Sequence, residues 1–187
     1  MSTGVTYANG FVQETVVVND STVTVGAREA GLRKQILATA RGGETCMANL
    51  AQRPRATPGP TREGRGDLLS AEVCAYRRDG TADYWLSYAQ VLDPADAEAA
   101  FAGAEDAEPS GTDCDDDPSE FVVLRATYED PAGEEELERV AVFEMGCGGT
   151  ADLGNGDVRV MTPAAVAPWS RNGIPPWWWA RTVARAR

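Results

Sequence analysis

Between Glu144 and Ala151 the chain reads EMGCGGTA, a glycine-rich run after a segment of strand character. It resembles the glycine loop of S-adenosylmethionine-dependent methyltransferases, which brings backbone close to the ligand at the head of a helix. Here the next residues, Asp152 to Asp157 (DLGNGD), are turn formers, and only 37 residues remain after Thr150 to complete a doubly wound sheet. Glycines flanking a half-cystine are the better account. Asp113, Asp115, Asp116 and Asp117 offer the hard oxygen ligands that calcium takes. The acids at 113, 115 and 117 match the opening of an EF-hand loop, but Pro118 stands where its glycine belongs and Leu124 where its bidentate glutamate belongs. That leaves a solvated acidic loop, or an irregular site helped by Glu120, Asp152 and Asp157. The chain has no histidine, hence no Ser-His or Cys-His pair, and Lys34 has no SxxK motif around it. Carboxylate pairs for glycoside hydrolysis can be drawn in so acidic a chain, yet nothing singles one out. No catalytic residue, cofactor or metal ligand is assigned.

The four cysteines, Cys46, Cys74, Cys114 and Cys147, are widely spaced and form no CxxC. Without histidine they make a poor zinc set, and two structural disulfides are expected in preference to four buried thiols. In the chain-entropy model, each would contribute on the order of 3.5 kcal/mol. Disulfides favour an oxidising compartment. Residues 1–30 carry no apolar h-region after a basic n-region, so the expectation is export with the export segment outside this chain, and cytosolic residence with reduced cysteines is the alternative. At the other end, Trp169, Trp177, Trp178, Trp179 and Arg181 combine aromatics with cations. Such a set suits a membrane headgroup region, a sugar surface or a protein groove. They are the candidate interaction surface, and the competing account folds the tryptophans back over a core face.

The elements that position these groups follow from periodicity. Glu120 to Tyr128 (EFVVLRATY) and Leu137 to Met145 (LERVAVFEM) are rich in β-branched and aromatic residues and flank the turn formers Asp130-Pro131-Ala132-Gly133. Pairing about that turn puts Val122, Leu124, Ala126, Leu137, Ala141, Phe143 and Met145 on one face. Phe121, Val123, Val140 and Val142 share the other with Arg125, Glu138 and Glu144. The same parity brings Cys114 and Cys147 to one face at the foot of the hairpin, where a disulfide is geometrically plausible. A second hairpin, Leu69 to Arg77 and Ala82 to Val91 around Asp79-Gly80, would put Ala71, Val73, Ala75, Tyr84, Leu86 and Tyr88 on one face and Cys74, Tyr76 and Trp85 on the other. A third pairs Phe11 to Val18 with Thr22 to Gly26, packing Val16, Val18, Val23 and Val25. Helices are expected over Arg28 to Arg41, with a stripe of Leu32, Ile36, Leu37 and Ala40, and from Asp93 to about Ala104, with Asp93 as N-cap and Phe101 as anchor. Gln52 to Gly66 (QRPRATPGPTREGRG) reads as a mobile, exposed loop with solvated arginines, its ends bracketed by Cys46 and Cys74. From Pro163 onward the chain reads as irregular.

The formal charge of −12 argues against nucleic acid as a partner. Seventeen acids and one base, Arg125, lie between Asp93 and Glu138 and suit a basic partner. No apolar stretch is long enough to span a membrane. The cysteine inside a strand (AEVCAYRRDG), the Asp-Pro-led helix, the second cysteine in an acidic loop and the hairpin closing on FEMGCGG make the chain similar to extracellular and lipoprotein-type domain proteins of actinobacteria, over roughly Cys46 to Met161. That resemblance implies export and a disulfide-stabilised α+β domain, and no particular activity; the lack of a visible signal departs from it. The expected architecture is α+β: a mainly antiparallel sheet of about five to seven strands with two helices on one side, a single domain over residues 1–165 and a Trp/Arg-rich extension over residues 166–187. The expected function is a non-catalytic secreted or cell-surface domain with a binding role. The alternatives are a cytosolic, acidic, immunity-type protein that binds a basic partner, and a carboxylate- or metal-dependent hydrolase.

Overall fold

The computed structural model describes residues 3–6, 10, 12–18, 21–39, 46–60, 64–78, 80, 82–111, 118–133, 136–144 and 149–170. The chain divides into two compact units, Met1–Ala48 and Asn49–Arg187, where one domain to residue 165 was expected. In the first unit β1 (Thr3–Thr6), β2 (Val12–Val18) and β3 (Ser21–Ala27) form an antiparallel meander, followed by α1 (Ala30–Thr39). Val16 faces Val23 across β2 and β3, the pairing that their alternation implies. The stripe expected on α1 is corrected at Leu32, which is 45% exposed. Arg33 is buried instead, donating to the carbonyls of Ala27 at 2.7 Å and Arg28 at 3.3 Å, with Glu14 at 3.7 Å. A guanidinium can leave water when carbonyls and a carboxylate replace its hydration.

The second unit is α+β. Its strands are β4 (Asn49–Leu50), β5 (Leu68–Arg77), β6 (Tyr84–Val91), β7 (Glu120–Glu129), β8 (Glu136–Glu144), β9 (Thr150–Asp152) and β10 (Val158–Val160), and its helices are α2 (Pro94–Glu105) and α3 (Pro163–Ser170). They make one antiparallel seven-stranded sheet in the order β10-β9-β8-β7-β5-β6-β4. Cys46 and Cys74 are disulfide-bonded. The β7–β8 register pairs Val122 with Phe143 and Leu124 with Ala141, as the alternation requires. These residues, with Ala71, Val73 and Tyr128, form the floor of the core, and α2 and α3 cover it through Ala97, Ala100, Phe101, Ala104, Ala165, Val166 and Trp169. The two helices on this sheet are therefore α2 and α3; the segment from Pro163, expected to be irregular, is helical. Pro163 suits a first helical position, and Thr162 Oγ1 accepts from the Ala165 amide at 3.3 Å. Close approach of the helices requires a glycine: a Cβ on Gly103 would lie 2.5 Å from the Ala164 carbonyl carbon.

The β5–β6 hairpin departs from its expected pairing at one residue. Ala75 faces Tyr88 but Tyr76 faces Leu86, so Ser87 bulges out and its hydroxyl donates to the Ala75 carbonyl at 3.0 Å. The extra residue moves Tyr84 and Leu86 to the side of Cys74 and Tyr76, while Tyr88 stays with the core. Tyr84 there meets Phe121 edge-on at 4.7 Å and donates to the Pro118 carbonyl at 2.8 Å.

Candidate functional site

A cleft of about 650 Å³ opens between α2, the segment Pro58–Pro60 and the turn joining β9 to β10. On α2, Glu98, Ala99, Ala102 and Glu105 face it, a spacing that places them along one side of the helix. The alanines keep the wall low, and the glutamates stand two turns apart, about 10 Å along the axis. Behind them lie Arg65 and Arg139. Arg139 occupies the core-facing parity of β8, opposite Ala126. Its side chain is 8% exposed, lies 4.0 Å over the Phe101 ring and ion-pairs with Glu105. Arg65 repeats the motif: its side chain is 11% exposed, lies 4.4 Å over the Tyr128 ring and bonds Glu98 at 2.6 Å. Both guanidiniums thus lie behind their partners, whose side chains are 41% and 53% exposed for Glu98 and Glu105.

The opposite wall is held by backbone. Thr57 exchanges two hydrogen bonds with Val140, at 2.9 and 3.0 Å, which fastens Pro58–Pro60 along the free edge of β8. Gly59 lies on the Arg139 stem, where a Cβ would come within 2.5 Å of Cδ. Gly154 has φ +94° and touches Pro58, with 2.6 Å from an added Cβ to the Pro58 nitrogen. Asp152 accepts from the Gly154 amide at 2.9 Å, and Asp157 accepts from Nε and Nη2 of Arg159, whose Nη1 donates to the Ala107 carbonyl. Tyr128, fully buried, directs its hydroxyl toward Glu98, near enough to interact electrostatically but without a well-formed hydrogen bond. Burial first, then Glu98, raises its pKa above 10.0, against a lowering pull from Arg65 and Arg139.

Of the residues singled out from the sequence, Cys46 and Cys74 are bonded, while Cys114 and Cys147 lie outside the described residues, as do the acids from Asp113 to Asp117 and the glycine loop from Gly146 to Gly148. Glu120, Asp152 and Asp157, offered as helpers for calcium, each stand beside an arginine: Arg77 at 3.3 Å, Arg53 at 3.8 Å and Arg159. Thr150 opens a strand, so no helix head follows the glycine run. Trp169 is corrected: it sits inside α3, 1% exposed and 5.9 Å from the Phe143 ring, and is core rather than surface. Trp177, Trp178, Trp179 and Arg181 lie outside the described residues. The Gln52–Gly66 segment is also corrected, since Arg53 pairs with Glu144, Arg65 stacks on Tyr128 and pairs with Glu98, and Gly66 donates to the Glu129 carbonyl at 2.8 Å. Arg139 escaped the sequence reading although its signal was present: an arginine at a core parity between Leu137 and Ala141. For Arg65 no local signal distinguishes it from its loop neighbours.

Among the described residues no helix is long and apolar enough to cross a membrane. No protein-family model, no curated protein and no solved structure matches this chain.

Proposed function

We propose that this chain is a non-catalytic, disulfide-braced binding domain of the secreted or cell-surface class, and that the cleft beside α2 is where it holds its ligand. The observation that carries this reading is the cleft's preformed ionic lining. Four charged side chains are fixed by ion pairs and ring stacking, and the facing wall is set by glycines that interlock with Arg139 and Pro58. Such preorganisation lowers the entropic cost of binding. The lining supplies ion-pairing groups and backbone, and each carboxylate is already engaged by an arginine, an arrangement that suits recognition better than proton transfer. The Cys46–Cys74 bond fits an oxidising compartment.

Amide-resolved NMR of the isotope-labelled chain, screened against small polar ligands of each charge class, tests the site. Binding is expected to shift the amides of Gly59, Gly154 and Asn155; ligands that perturb only residues far from them would sink the assignment. Intact mass from the native host, with and without reduction before alkylation, tests the compartment. Alkylation of Cys46 and Cys74 without reductant would place the protein in a reducing environment.

A further inference from the structure

The charges of the cleft are layered rather than mixed. Both guanidiniums are stacked on core rings and shielded, whereas the carboxylates of Glu98, Glu105 and Asp157 stand toward solvent. Two arginines and three acids line the cleft, Asp157 being paired with Arg159 just outside the lining, within a chain of net charge −12. An anion would have to displace a glutamate from each arginine and approach against the field of the whole chain. A cation meets carboxylates whose side chains are 41% and 53% exposed even while paired with arginine. Glu98 and Glu105, about 10 Å apart, set the spacing of two such contacts. Behind Glu98 the buried Tyr128 hydroxyl lies near that carboxylate without a well-formed hydrogen bond. It keeps its proton and can donate to that carboxylate as it turns toward a ligand.

We propose that the cleft takes a linear organic dication, two ammonium or guanidinium groups about 10 Å apart, one on Glu98 and one on Glu105, with the intervening chain lying over Ala102 and against Gly59. This rests on the cleft being the ligand site. The chemistry has two sources, a free polyamine or two basic side chains of a peptide.

Isothermal titration calorimetry and amide-resolved NMR on the full chain, with the disulfide intact, test it. The probes are spermidine, whose terminal ammoniums supply the spaced pair and whose middle one is a third charge between them, a Lys-Gly-Gly-Lys peptide, butylamine, magnesium chloride and a neutral disaccharide. Spermidine, the peptide or both should shift the Gly59 and Gly154 amides and bind at least tenfold more tightly than butylamine, and the tighter of the two identifies the source. Ala102→Lys places a built-in ammonium between the glutamates on an exposed helical position and should weaken the dication at least tenfold without lowering the melting temperature. Glu98→Gln with Glu105→Gln, which keeps acceptors for both arginines but removes their counter-charge, should weaken the dication likewise, at some cost in melting temperature. Equal binding of butylamine and spermidine, equal displacement by magnesium, or an unchanged Ala102→Lys affinity would overturn the dication. A neutral disaccharide that alone shifts the cleft amides would overturn it too, yet leave the binding site standing. Shifts outside the cleft for every probe would end both readings.

Discussion

Arg139 takes a core position on β8 because its stem and flat guanidinium pack like an apolar side chain, provided that a carboxylate answers the charge. The two ends of this pair are unequal: Arg139 is buried and Glu105 is half exposed. Removing the carboxylate strands a charge in the core, whereas removing the guanidinium leaves a carboxylate that water can solvate. Glu105→Ala should therefore cost about 2 kcal/mol and Arg139→Met less than about 1 kcal/mol, measured by urea unfolding. The opposite order would mean that the arginine's worth lies in packing. Tyr128 gives a second prediction, in pH. Its folded pKa is raised above the 10.0 of the unfolded chain, so below pH 10 the phenol is protonated in both states and its contribution is fully present. As pH climbs through the raised value, unfolding releases a proton and stability falls. Tyr88, also raised by burial, adds to that decline. Tyr128→Phe should flatten the slope of stability between pH 10 and the raised value and leave neutral-pH stability within about 1 kcal/mol, because it removes a hydroxyl that makes no well-formed hydrogen bond. An unchanged slope would place the alkaline transition elsewhere.

Between elements, the contact of α2 with α3 depends on Gly103. Helix propensity alone favours alanine there by about 1 kcal/mol. The steric term opposes it, since the new Cβ would meet three backbone atoms of Ala164 and Ala165 within 2.7 Å, and backbone cannot turn aside as a rotamer can. Thr162, which donates to the Gly103 carbonyl at 3.1 Å, ties the same junction. Gly103→Ala should lose up to about 2 kcal/mol net, the overpacking cost less the gain in helix propensity, in thermal or urea unfolding; a gain would show that α3 can slide. The sequence made the sheet legible where two independent signals agreed. The β7–β8 register follows from alternation plus a turn, and α2 from Asp93-Pro94 plus a single large anchor, Phe101. It misled where one residue carried the outcome. Ser87 bulges and carries Tyr84 and Leu86 across the sheet, and nothing in YWLSYAQ announces it. The helix from Pro163 was hidden by two prolines, one of which begins it. The cleft was the least legible part, because Arg65, Glu98, Arg139 and Gly154 meet only through tertiary pairing.

At the scale of the molecule, a net charge of −12 and a disulfide act on opposite sides of the folding balance. Like-charge repulsion disfavours the compact state, and salt should relieve part of it. The Cys46–Cys74 bond acts on the unfolded chain, closing a loop that contains Thr57, the Pro58–Pro60 wall and Arg65. For a loop of this length the chain-entropy model gives about 3.5 kcal/mol. Reduction is a poor test, since it is not selective for one bond. The double variant Cys46→Ala with Cys74→Ala isolates the term and should lower the unfolding free energy by about 3–4 kcal/mol with little change at high salt, because chain entropy is not screened. Residues 51–66 have few apolar side chains to hold them without the bond, so the loss should fall on the cleft first, with faster amide exchange at Gly59 before the sheet melts. A loss below about 1 kcal/mol, with Gly59 still protected, would mean that the Thr57–Val140 bridge and the Arg65 pair suffice. The disulfide would then say little about the compartment in which the cleft does its work.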